Sequence, residues 1–151
     1  MGITGDLDRL AREVSIRFAE AEMVYDCPEA GGRTLNALQE RGYRLGLLTN
    51  RENVDRFHEL LEQFDLHRYF ALILSAGEVG VSKPNPGIFR AALERMEASP
   101  EESLYVGDNY WADVLGAEAA GIRPVLLDPM GLFPEAECMV LASIEELLVH
   151  L

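Results

Sequence analysis

The chain has 151 residues, 48% of them hydrophobic, which is enough for one sizeable core and too short for two ordinary domains. Its formal net charge is -13 and its thirteen Lys and Arg are scattered, so no basic patch offers a nucleic-acid surface. No apolar run approaches the roughly 18 residues of a membrane span, and "MGITGDLDRL" has neither the basic nor the apolar segment of a secretory leader.

Taken in chain order, helical and strand patterns alternate. "LDRLAREVSIRFAEAEMVY" sets Leu7, Leu10, Ala11, Val14, Phe18 and Ala21 at helical spacing opposite Asp8, Arg9, Arg12, Glu13 and Arg17, which predicts an amphipathic helix over residues 6–24. "RTLNALQERGY" predicts a second helix stopped by Gly42, and "RLGLLTN" a short, fully buried strand. "NVDRFHELLEQF" reads as a helix, "YFALILSA" as a strand, "NPGIFRAALERM" as a helix begun near Pro86, and "SLYVGD" as another buried strand. Helix "ADVLGAEAA", strand "RPVLLD", a looser "CMVLA" and a closing helix "SIEELLVHL" complete the series. Strands apolar on both faces and separated by amphipathic helices predict a three-layer α/β domain with a parallel sheet covered on both sides. Cys27 and Cys138 form no C-x-x-C pair, so free buried thiols in a reducing, cytoplasmic compartment are expected.

Chemistry in such a sheet gathers at the carboxyl ends of its strands. Thr49 and Asn50 lie just past the strand of "LLTN", where hydroxyl, amide and backbone N–H groups suit an anion; capping of the next helix by Asn50 or Asn53 is the plainer alternative. In "VSKPNPGIF" Lys83 lies in a loop held by two prolines, which would aim its ammonium. Asp108 ends the strand of "YVGD", and Asp113 lies in the first turn of the next helix, where a carboxylate also complements the helix dipole. Tyr110 and Trp111 follow Asp108, and packing of their loop is favoured over a substrate wall. His58, His67 and His150 share no spacing and receive no role.

A T-N, a K-P and a G-D-x-x-x-x-D, each after a strand and in that order, resemble the haloacid dehalogenase (HAD-like) hydrolase superfamily. "RGYRLGLLTN", "GEVGVSKPNPGIFRAALERM" and "YVGDNYWADVLGAEAAGI" look like its second, third and fourth motifs. The resemblance implies a Rossmann-like core and Mg²⁺-dependent hydrolysis of a phosphomonoester. It implies that Thr49 and Asn50 bind phosphate, that Lys83 neutralises the charge around nucleophile and phosphate, and that Asp108 and Asp113 serve Mg²⁺. It divides one domain, 1–151, into a helical cap remnant (1–26) and the core (27–151).

The superfamily's first motif, D-x-D-x-[TV], lies on the central strand and supplies the nucleophile. The only D-x-D before Thr49 is Asp6-Leu7-Asp8, read here as a helix cap and a first-turn acid with no strand before it. The nucleophile is therefore expected to be absent, Mg²⁺ to bind weakly, and the sheet to lack its central strand. A shortened phosphohydrolase, inactive alone, competes with a non-catalytic module that binds an anion or a protein. The expected partners are a small phosphorylated metabolite or inorganic anion and, to fill the gap, a homodimer partner or complementing segment.

Overall fold

In the computed structural model, which describes residues 13–16, 29–51 and 54–151, six strands form one sheet in the order β3-β2-β1-β4-β5-β6. The strands are β1 (Glu13–Ile16), β2 (Arg44–Thr49), β3 (Leu72–Ser75), β4 (Ser103–Gly107), β5 (Arg123–Leu127) and β6 (Met139–Leu141), and every pairing is parallel. Connecting them are α1 (Glu29–Glu40), α2 (Val54–Gln63), the single turn α3 (Ala76–Val79) and α4 (Pro86–Met96). A π-helical turn at Tyr110–Val114 runs into α5 (Leu115–Ala119), and α6 (Leu147–His150) closes the chain. The three-layer α/β fold expected from the sequence is the one observed.

Side-chain alternation along the strands creates two cores. Leu45 and Leu47 of β2 and Leu104 and Val106 of β4 meet Leu35 and Leu38 of α1, Phe57 and Leu61 of α2, and Leu147 of α6. On the opposite face Leu48 and Tyr105 meet Ile88, Phe89 and Ala92 of α4 and Ala117 of α5. Each fully buried Leu or Phe contributes about 1.5–3 kcal/mol, so both helical layers are held by burial. Local chemistry trims the elements. Gly42, at φ 88°, lets α1 end in a Schellman motif, with Tyr43 N–H on the Leu38 carbonyl and Gly42 N–H on that of Gln39. Asn85 caps α4 by accepting the Gly87 N–H at 2.8 Å, with Pro86 in its first turn. The short α3, absent from the sequence reading, begins at a capping box in which Ser75 and Glu78 satisfy each other's backbone N–H.

One expectation fails. Helical spacing predicts a helix over 6–24, yet Glu13–Ile16 is a strand; the other residues of that segment lie outside the described residues. β1 occupies the central position, with Val14 opposite Leu45 on one side and Leu104 on the other. Leaving buried N–H and C=O groups unpaired there costs about 1–3 kcal/mol each, while helix propensities differ by only a few tenths of a kcal/mol per residue. Tertiary pairing overrules the local periodicity, and the β-branched Val14 and Ile16 suit a strand. The gap expected between the strands ending at Thr49 and Asp108 is therefore filled by the chain itself, and residues 13–16 belong to the core and not to a cap remnant. Among the described residues no helix is long and apolar enough to cross a membrane.

Candidate active site

The strand order 3-2-1-4-5-6 reverses direction between β1 and β4, and a doubly wound sheet takes its ligands at the carboxyl ends of strands flanking that point. The candidate residues follow β2, β3 and β4 at this end of the sheet.

Thr49, the last residue of β2, is buried, and its Oγ1 accepts the Arg51 N–H at 3.3 Å. Asn50 bonds twice to the backbone of Lys83: its Oδ1 accepts the Lys83 N–H at 2.7 Å and its Nδ2 donates to the Lys83 carbonyl at 3.0 Å. Its amide thus splices the β2 end to the loop after α3, which neither the anion-binding nor the helix-capping expectation foresees. Asn53 lies outside the described residues. An open cleft of about 440 Å³ adjoins this splice, lined by Asn50, Ala76, Gly77, Gly80, Val81 and Ser82.

Lys83 is not turned to solvent. Its side chain is fully buried, and Nζ donates to Asp113 Oδ1 at 2.8 Å and to Tyr105 Oη at 2.9 Å. The prolines expected to aim it are assisted by three other groups: the Asn50 amide on its backbone, and Tyr105 and Asp113 on its ammonium. Asp113 is 0% exposed, and its Oδ2 accepts the Asn109 N–H at 3.0 Å. Gly107 makes this seat possible, because a Cβ there would stand 2.5 Å from the Asp113 carboxylate. Asp108 follows β4 directly and is exposed. Asn50, Lys83, Tyr105, Asp113 and the Asn109 N–H are thereby joined by a continuous set of bonds, with Thr49 and Asp108 adjoining it in the chain.

Both oxygens of Asp113 accept from N–H or O–H donors, an environment suited to holding an ammonium and poorly suited to a metal ion. Among the described residues no group of three carboxylate, imidazole or thiolate side chains comes together. Mg²⁺ keeps several waters and takes one or two protein carboxylates, of which Asp108 is the exposed one here.

Three features escaped the sequence reading. Tyr105 was read only as a strand residue, although a tyrosine inside a strand buried on both faces signals a hydroxyl in need of a partner. Asp128 is buried at the end of β5 and accepts the N–H groups of Leu132 (2.9 Å) and Phe133 (2.8 Å). Those bonds, that of Leu132 first, hold its carboxyl below the usual carboxylate range against the opposing effect of burial. Phe133 stacks on Tyr110, with centroids 5.3 Å apart and planes at 15°, and Trp111 meets Tyr110 edge-on. Tyr110 thus packs on the loop after β5 and not, as expected, on the adjoining helix, while Trp111 stays 66% exposed. The third is an aromatic pair: His58 and His67 stack with ring nitrogens 3.4 Å apart. Cys138 is half-buried, and burial pushes its thiol up, away from a nucleophile's range. Cys27 lies outside the described residues.

The chain is similar to known proteins in sequence and in fold. The family model for haloacid dehalogenase-like hydrolases matches residues 4–121. A phosphoserine phosphatase of Thermus thermophilus is 40% identical over 131 residues, covering 87% of this chain and 52% of that protein. A glyceraldehyde 3-phosphate phosphatase of Methanothermobacter thermautotrophicus is 38% identical over 95 residues, covering 63% of this chain and 42% of that protein. The crystal structure of a HAD phosphatase from Thermococcus onnurineus superposes with a TM-score of 0.74 at 29% identity, covering 85% of this chain and 58% of that one. The chain spans about half the length of the curated relatives it matches. A doubly wound sheet, the ordered Thr49, Lys83 and Asp108–Asp113 motifs at its carboxyl end, and a family match over most of the sequence lead to one conclusion: this chain belongs to the haloacid dehalogenase-like hydrolases.

Proposed function

We propose that the chain carries the phosphoryl-binding site of a phosphatase-type hydrolase, and that its ligand is a small phosphorylated metabolite or inorganic phosphate. The observation that supports this most is the buried Lys83–Asp113 pair, spliced to the β2 end through Asn50. On this reading Lys83 neutralises phosphoryl charge and the Thr49 hydroxyl donates to a phosphoryl oxygen. Asp113 holds Lys83, and Asp108 offers Mg²⁺ one carboxylate and hence weak binding. Phosphoserine and glyceraldehyde 3-phosphate, named for two relatives, illustrate the substrate class.

Turnover through an aspartyl intermediate requires a carboxylate in line with phosphorus. The sequence leaving β1 is Arg17-Phe18-Ala19-Glu20, without an aspartate, and Asp6 and Asp8 precede the strand. That sequence favours the non-catalytic anion-binding module for the chain by itself. The homodimer partner or complementing segment expected from a missing strand loses its argument, since β1 fills that position.

The test is hydrolysis of generic phosphomonoesters with Mg²⁺, alongside binding of orthophosphate. Orthophosphate binding that Lys83→Met abolishes, without turnover above background, is the expected result. A kcat near the ~10 s⁻¹ enzyme median, lost in Asp108→Asn, would overturn the non-catalytic reading and direct the search for a nucleophile to Asp6 and Asp8, which the family match includes.

A further inference from the structure

Tyr105 lies in the middle of β4 and is 1% exposed. Its ring packs edge-on against Phe89 of α4, with centroids 4.8 Å apart, in a core otherwise made of Leu, Ile and Ala. Packing accounts for the ring and leaves the hydroxyl unexplained, because a buried hydroxyl carries a desolvation cost that phenylalanine would avoid. That hydroxyl lies 2.9 Å from Lys83 Nζ and 3.3 Å from Asp113 Oδ1, while Lys83 Nζ and Asp113 Oδ1 are 2.8 Å apart. The donors and acceptors form a closed triangle: the ammonium donates to the phenol oxygen and to the carboxylate, and the phenol O–H donates to the same carboxylate oxygen.

We propose that Tyr105 is a positioning residue for Lys83, fixing the ammonium in the geometry in which it meets a phosphoryl group. A lysine side chain has four rotatable carbon–carbon bonds and a point charge, so one carboxylate partner defines a distance and not a direction. A second acceptor on a rigid ring, anchored in the sheet, supplies the direction. The hold comes from β4, the strand whose end also carries Asp108, so Lys83 is registered against the same strand that presents that carboxylate. The importance of this hold for anion binding rests on the phosphoryl-site reading above.

The experiment compares the wild-type chain with Tyr105→Phe and, as a second variant, Asp113→Asn, by two readouts. The first is the Lys83 side-chain ammonium signal in proton–nitrogen correlation spectra, visible only when exchange with water is slow. The second is calorimetric binding of orthophosphate, with thermal melting showing that each variant folds. The wild type should show the ammonium signal. Tyr105→Phe should lose it by broadening and bind orthophosphate about tenfold more weakly, while still melting in one cooperative transition at a temperature lowered by the lost buried hydrogen bond. A Tyr105→Phe protein that keeps both the signal and the affinity overturns the proposal and leaves Tyr105 a packing residue. A wild type that binds no orthophosphate overturns the phosphoryl-site reading instead, and the ammonium signal then decides the hold of Tyr105 on Lys83 independently.

Discussion

At the scale of single residues, charge here is placed by hydrogen bonds that come from distant parts of the chain. Asp113 is a case in which the residue type was anticipated but not its engagement, since Lys83, Tyr105 and the Asn109 N–H all converge on it. Removing one partner of such a buried pair costs about 3–5 kcal/mol, which makes the pair a poor place for conservative variation. Asp128 is instead held by local bonds, from N–H groups four and five residues on. Its carboxylate accepts the Leu132 and Phe133 N–H groups, and its folded pKa is depressed. The stability it contributes is therefore fully present above the unfolded carboxylate pKa of about 3.9 and is lost as pH falls through the lower folded value. Acid titration followed by the Leu132 and Phe133 amide signals should show both moving together below about pH 4. In Asp128→Ala they should already sit at their displaced positions at neutral pH. Amide signals that match the wild type in that variant would show that the carboxylate does not hold the loop.

Among the elements, β1 is the one whose assignment the fold reversed. Its four residues have β-branched side chains at two positions but no turn signal on either side, and Val14 fits the helical stripe of residues 7–21 equally well. Nothing within the segment decides between the two periods, whereas pairing on both edges with β2 and β4 does. Nuclear Overhauser contacts should therefore link Val14 to Leu45 and to Leu104, and Ser15 to Gly46 and Tyr105, following the parallel register. Sequential helical contacts among residues 13–16 in place of these would restore the amphipathic helix and reopen the middle of the sheet.

For the whole molecule, a filled centre changes what the surface has to do. A sheet missing its central strand would require a second chain or an exchanged segment, and the expectation of a dimer rests on that requirement. With β1 between β2 and β4, the sheet edges are β3 and β6, at the two outer ends. The net charge of -13 then opposes close approach of two copies, within a Debye length of about 8 Å at physiological salt. Light scattering at micromolar concentration should return the mass of one chain. A dimer mass would point to an interface elsewhere than the sheet centre.

The sequence by itself determined the strands β2 to β5, the helices α1, α2 and α4 between them, and the polar motifs of Thr49, Lys83 and Asp108. These depend on local matters: apolar runs of strand length, helical spacing, Gly42 and Pro86 as punctuation, and motif order along the chain. Only the tertiary structure decided which residues fill the centre of the sheet, that Asn50 grips the Lys83 backbone, and that Tyr105 and Asp113 share the Lys83 ammonium. Each of those is a contact between residues far apart in sequence, between 22 and 33 positions within the site. A buried polar group takes its partner from whatever the fold brings within hydrogen-bonding distance, and no local pattern encodes that choice.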